Sequence, residues 1–225
     1  MLFRSGGGVA QRLGYADTPN VIGAAEQARA GGDLREVCAA AIVGNPVGFD
    51  VIAGLPAVIA WTQWSAADAA MVVARAQAEW PMVVVTTSPI IEDLRRWGDR
   101  YGVSRQLLSS PASAVVAVVE ASPRGVIRAG EWFAQARPFG RVPVVINKVL
   151  ARSPHVDAQI RERLLSILGE GRIDIVASLP YDRAVPTAEW NAALPTTGRF
   201  ARAVKAISAE LGGLTAQRRE LTWQR

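Results

Sequence analysis

The 225-residue sequence predicts an α/β fold, a doubly wound and mostly parallel sheet with helices on both faces. Three observations carry that prediction. Five short runs rich in Val, Ile and Ala recur along the chain, and four of them are near-continuous instead of alternating. Such runs belong to strands buried on both faces, as in a parallel sheet covered by helices. Segments with helical periodicity lie between them, so strand and helix alternate, which calls for right-handed crossovers. Several runs end in Pro or in a small polar cluster, and in open parallel sheets the loops after the carboxyl ends of strands carry the ligand site.

The chain opens MLFRSGGGVAQRLGYADTPN. Gly7, Gly8 and Val9 begin a pattern like the phosphate loop G-x-x-x-x-G-K-[ST]. Ala10, Gln11 and Arg12 then stand where Gly, Lys and a hydroxyl residue belong, and only MLFR precedes where a buried strand is required. The stretch therefore reads as a flexible Gly-rich entry into a turn or helix. Next comes TPNVIGAAEQARAG, with Thr18 as N-cap and Pro19 at the first helical position. The first strand candidate is FDVIAGLP, Phe49 to Pro56. SAADAAMVVARAQAEW starts at Ser65 with Asp68 three residues on, a capping-box pattern. MVVVTTSP (Met82 to Pro89) is the second strand, followed by a helix in IEDLRRWGDRYGVSRQLL. AVVAVVEASP (Ala114 to Pro123) leads into RGVIRAGEWFAQAR. PVVINKV (Pro143 to Val149) leads into HVDAQIRERLLSILG. DIVASLP (Asp174 to Pro180) leads into a short helix ending near Trp190 and a final helix, GRFARAVKAISAELGG. No repeat or linker interrupts this order. Residues 1–212 read as one domain and 213–225 as a basic, solvated tail.

Composition narrows the chemistry. Half the residues are apolar, enough for a substantial core. No run of about 18 uncharged apolar residues exists, and no signal-peptide core follows Arg4. The single cysteine, Cys38, excludes an internal disulfide and fits a cytoplasmic location. The net charge of +5 is nearly all arginine, scattered along the helices, and Lys148 and Lys205 are the only lysines. A nucleic-acid surface is not expected from so diffuse a pattern. His155 is the one histidine, in SPHVDAQ near a helix start, so no zinc site is expected. Neither a G-x-S-x-G elbow nor a G-x-G-x-x-G fingerprint is present. No catalytic residue and no metal ligand are assigned.

Two strand ends stand out. VVINKV presents Asn147 and Lys148 as it leaves a buried strand. Asn147 can donate and accept in one plane, which suits a purine edge, and the apolar stem of Lys148 can lie against a ring. The plainer reading is a polar strand end. SLPYDRAVPTAEWN places Tyr181 and Asp182 after Pro180, and its plainer reading is a loop into an amphipathic helix. If both strands return to one sheet by a right-handed crossover, Asn147 and Pro180 fall within about 10 Å of each other.

In this order and spacing the segments resemble ParA/MinD-type P-loop ATPases. That family closes one strand in V-N-[KR], and after a helix closes the next in [IL]-P-[YF]-D. GFDVIAGLP resembles its G-x-D-V-[IL]-x-G strand and MVVVTTSP its V-V-V-D-T-x-P strand. AVVAVVEASPRGVIRA resembles the strand and helix that follow. SGGGVAQRLGYADTPNVIGAAEQARAGG resembles the Gly-rich turn and helix after the family's D-A-D strand. The resemblance spans about Gly6 to Leu211 and is nearest to the CpaE/TadZ-like and septum-site-determining MinD-like proteins of actinobacteria.

The resemblance implies an incomplete P-loop NTPase fold lacking its amino-terminal Walker A unit, with neither of that loop's lysines. Thr86 stands where the family has an aspartate near magnesium, and a hydroxyl cannot supply that carboxylate's charge. The implied cofactors of the complete family are ATP and Mg²⁺, neither bound tightly by this chain. Asn147, Lys148, Pro180 and Asp182 would form the remnant of the nucleotide edge. The implied role is spatial positioning of cell-division, pilus-assembly or partition machinery without ATP hydrolysis. A non-enzymatic localisation or regulatory protein on the same degenerate fold is the alternative. Self-association as a homodimer and protein partners from division or secretion machinery follow as expectations. Peripheral membrane association has no support in the residues.

Overall fold

The computed structural model describes residues 2–4, 8–42, 44, 47–87, 91, 102–109, 114–136, 141–150, 154–169 and 171–223. The chain divides into two units, Met1–Leu107 with Pro186–Leu194, and Leu108–Val185 with Pro195–Arg225. The described strands divide with it, into a two-stranded and a three-stranded parallel sheet.

In the first unit β1 (Leu2–Arg4) pairs in parallel with β2 (Val84–Thr86), Leu2 opposite Val84 and Arg4 opposite Thr86. A short strand therefore does precede the Gly-rich stretch, contrary to the sequence reading. Three residues suffice because β2 already offers a row of backbone groups to pair with. Gly8 adopts φ 88°, a left-handed conformation that a Cβ disfavours, and leads into α1 (Val9–Arg12).

Helix α2 (Val21–Arg29) is capped by Asn20, whose carboxamide oxygen accepts from the Ile22 N–H at 3.0 Å. The expected cap at Thr18 gives way because the helix starts two residues later than Pro19 suggested. Helix α3 (Ala66–Glu79) carries the expected capping box, with Ser65 and Asp68 exchanging side-chain and backbone hydrogen bonds.

Val21, Ala24, Leu34, Ile52, Val72 and Ala76 form the core of this unit. Each large side chain there contributes about 1.5–3 kcal/mol by leaving water. The expected strand at 49–56 is a correction. Val51, Ile52 and Ala53 are buried and extended, yet they make only isolated bridging contacts. The Ala39 N–H donates to the Val51 carbonyl at 2.7 Å, and the Val21 N–H donates to the Ala53 carbonyl at 2.9 Å. The partners are a loop residue and the first residue of a helix, so these two carbonyls are satisfied outside a ladder. Of the helix expected after β2, α4 (Val103–Ser109) is described, while 92–101, like Ser88 and Pro89, lies outside the described residues.

The second unit contains β3 (Ala117–Glu120), β4 (Val142–Val149) and β5 (Ile173–Pro180) in the order β3-β4-β5, all parallel. The crossovers run through α5 (Pro123–Ala136) and α6 (Pro154–Leu168). Side chains alternate across β4. Val142, Val144 and Ile146 pack with Phe133, Ile160 and Leu164 on the face covered by those two helices. Val145 packs with Leu179 and Ile207 on the other, under α8 (Gly198–Trp223). Both faces are thus apolar, which is why the strand reads as a continuous run.

Helix α5 sits hard against the end of β3. A Cβ at Gly125 would overlap the Glu120 carbonyl oxygen, and the Ser122 hydroxyl accepts from the Gly125 N–H at 3.0 Å. Helix α7 (Ala184–Trp190) follows β5, and α8 remains helical to Trp223, through most of the segment read as a tail.

Candidate functional site at the carboxyl end of the three-stranded sheet

The parallel strands β3, β4 and β5 deliver their last residues to one end. Val149 is the register partner of Pro180, and the Tyr181 N–H donates to the Val149 carbonyl at 2.8 Å. Asn147 lies two residues before Val149, which puts it about 8 Å from Pro180, two residue rises and one strand spacing away. The two motifs that the sequence separates by a whole crossover helix therefore share one sheet end.

The geometry of the individual residues is more specific than the sequence suggested. The β4–β5 register shifts between Ile146 and Val149. Within that bulge Lys148 has φ 64°, an unusual conformation for a residue with a Cβ. The Asn147 side-chain oxygen accepts from the Lys148 N–H at 2.8 Å, and the Asn147 carbonyl accepts from the Ala121 N–H at 2.8 Å. The carboxamide oxygen thus accepts from its own backbone, and its NH₂ group is a donor by chemistry. The Lys148 ammonium is bonded to Glu120 at 3.0 Å, across to β3. Both partners are more than half exposed, so the pair fixes the side chain's direction and adds little stability.

Asp182 is engaged locally. Its Oδ1 accepts from the Ala184 N–H at 2.9 Å, an Asx turn that starts α7. Pro180 lines an open groove of about 360 Å³ with Val149, Ser178, Arg199, Arg202 and Ala203.

Sequence reasoning missed a closed ring beside this groove. The Arg161 Nε donates to Asp157 at 3.0 Å and its terminal nitrogen to the Ser178 hydroxyl at 2.8 Å. That hydroxyl in turn donates to Asp157 at 2.7 Å. Asp157 and Arg161 stand four apart on α6, a spacing that signals a pair on one helix face, but nothing in the sequence connects them to Ser178. The arginine pair at the start of α8 was also missed.

No group of three or more potential metal ligands occurs among the described residues. Burial, reinforced by Asp50 and Glu79, pushes the Cys38 thiol up to about 11, so it is no thiolate at neutral pH. At the end of β2 in the other unit, Thr86 presents a hydroxyl.

No family model and no curated protein matches this chain. A solved structure does: the ParA family ATPase from Chlorobium tepidum TLS superposes with a TM-score of 0.65 over 92% of this chain and 84% of its own, at 12% identity. The chain has a ParA-like α/β fold. The likeness establishes the arrangement of strands and helices, including the parallel three-stranded sheet flanked by helices. At this identity it carries no residue roles with it. Among the described residues no helix is long and apolar enough to cross a membrane.

Proposed function

We propose that this chain is a ParA/MinD-like ATPase homologue that acts in the cytoplasm by positioning other machinery and does not itself hydrolyse ATP. The observation that carries the reading is the shared sheet end of Asn147 and Pro180 on a ParA-like fold. The residues fit one part of a nucleotide and not the other. The Asn147 NH₂ group offers donors to a base edge, and Val149 and Pro180 at the same sheet end offer apolar surface. Among the described residues the phosphates and magnesium find no matching set. The resemblance puts Thr86, a hydroxyl residue, where the family has a carboxylate for the ion, and in the other unit the ammonium of Lys148 is engaged with Glu120. Phosphoryl transfer depends on charge stabilisation that these groups do not provide.

The reading extends to self-association and to protein partners drawn from division, pilus or partition machinery, in the manner of the CpaE/TadZ-like and MinD-like branch. The test is steady-state phosphate release with Mg·ATP on the purified chain. The expected result is turnover no higher than that of a Lys148→Ala control. Turnover above that control would overturn the reading.

A second reading, a non-enzymatic regulator on the degenerate fold, is favoured specifically by Thr86. A Thr86→Asp variant that gains neither nucleotide affinity nor turnover fits that reading. A gain in either points to an ATPase lineage with a repairable site.

A further inference from the structure

We propose that the groove between the end of β5 and the start of α8 is a docking site for an acidic peptide segment of a partner protein, one in which a carboxylate side chain stands beside an apolar one. The proposal goes beyond the nucleotide-fold reading: it gives the groove that contains Val149 and Pro180 a peptide ligand, and its test requires no nucleotide.

The walls of the groove set the chemistry. Val149, Pro180 and Ala203 give it apolar walls, and among the described residues Arg199 and Arg202 are its charged lining groups. Ser178 adds a hydroxyl already held by Asp157 and Arg161, so it is a fixed polar wall. The two arginines are three residues apart on α8 and share a helix face. They flank the apolar stripe of Phe200, Ala203, Ile207 and Leu211, which packs on the sheet. Their stems can therefore lie along the groove while the guanidinium groups reach outward.

Among the described residues no ion pair involves Arg199 or Arg202. The carboxylate of Asp182 lies beside Gly198 and spends one oxygen on the Ala184 N–H. Two like charges on one face repel, and cations in the opening turns of a helix oppose its dipole. A carboxylate between the two guanidinium groups removes both penalties and can be held bidentately.

The shape selects the kind of ligand. An open groove leaves a small molecule largely in water, whereas sites for such molecules enclose most of their surface. A peptide needs only to lay one acidic and one apolar side chain into it, with its backbone outside.

Fluorescence anisotropy with a labelled peptide of alternating Glu and Leu, added to the full chain, tests the proposal. Binding is expected, and Arg199→Glu with Arg202→Glu should weaken it at least about tenfold. A control with the same charge change elsewhere, Arg124→Glu with Arg163→Glu, should shift it less than about twofold. A Glu–Ser peptide, which keeps the charge and loses the apolar contact, should bind more weakly than Glu–Leu. Should the Arg199 and Arg202 double variant lose its helical circular dichroism, the pair Arg199→Gln and Arg202→Gln gives the same comparison. No binding, or an equal loss in the control variant, overturns the proposal. Displacement of the peptide by inorganic phosphate at equal concentration also overturns it, because the site would then be one for phosphate groups. None of these readouts requires nucleotide turnover, so their failure leaves the ATPase-homologue reading to its own assay.

Discussion

The two parallel sheets of this chain start from similar apolar sequence and reach different ends. In the first unit β1 and β2 are three residues each, and most of the core comes from α2, α3 and the extended segment around Ile52. In the second, β4 and β5 run for eight residues each and the sheet is covered on both faces. Val51, Ile52 and Ala53 are as deeply buried as Val144, Val145 and Ile146. Among the described residues only the second trio has a strand on each side. Burial and ladder pairing are therefore separable, and it is pairing that aligns strand ends into a site.

The strongest way to probe this difference is to damage each core in turn. Phe133 is fully buried between α5 and the three-stranded sheet, and Phe133→Ala should lower the unfolding free energy by about 3–5 kcal/mol. Leu34→Ala in the other core should cost about 2–5 kcal/mol. Urea melts followed by circular dichroism measure both. A Phe133 variant that melts like the parent would mean that the covered sheet is not the firmer half.

Gly125→Ala follows in size. The new methyl group must displace a backbone carbonyl, which should cost about 1–3 kcal/mol, read as a lower thermal midpoint. An unchanged midpoint would show that the α5–β3 contact is looser than drawn.

The capping box of α3 gives a smaller effect in the first unit. Ser65→Ala should cost about 1 kcal/mol. It also carries a pH signature. Burial raises the Asp68 pKa, but hydrogen bonds from Ser65 and the charge of Arg29 outweigh it and hold the carboxyl below its usual value. A depressed folded pKa contributes stability that is present above the unfolded value of about 3.9 and lost as the pH falls through the folded one. Asp68→Asn should therefore be less stable than the parent at pH 7, with the gap closing below about pH 4. A gap that stays constant to pH 2.5 would rule out the ionised cap.

The smallest effect is expected at the sheet end itself. Lys148→Gly removes the left-handed strain and loses an exposed ion pair, for a net gain of about 0.5 kcal/mol. A loss of 1 kcal/mol or more in a urea melt would mean that the Glu120 bond matters more than its exposure implies.

The second unit was the more legible one. β4 and β5 announce themselves by continuous apolar runs that stop at Asn147 and Pro180, because burial on both faces leaves no polar residue until the ladder ends. The same signal misled at 49–56. An apolar run records burial and says nothing of which backbone lies alongside, and here the neighbours are a loop and a helix start. MLFR went unseen as a strand because three residues are too few to show a period.

The site was half legible. Placement of Asn147 and Pro180 follows from topology, but the hydrogen bonds that turn the Asn147 carboxamide and fold Lys148 onto Glu120 depend on a bulge that leaves no mark in the sequence. Asp182 could have been read as a helix-starting aspartate, since an Asx turn needs only that residue before a helix. Arg199 and Arg202 are two among many arginines in the chain, and only the groove sets them apart.

The bulge at Asn147 and Lys148 also divides β4 by how long its amides stay shielded from solvent. From Val144 to Ile146 the strand is gripped on both sides, and opening it means parting the sheet. At the next two residues the grip on the β5 side lapses, while Asn147 still holds β3 through its carbonyl. The strand's tip can thus breathe away from β5 while its root stays closed, so deuterium should enter at Lys148 long before it enters at Val145. The sheet end that gathers the polar residues is in this sense hinged on a single pair of positions, with a rigid body behind it.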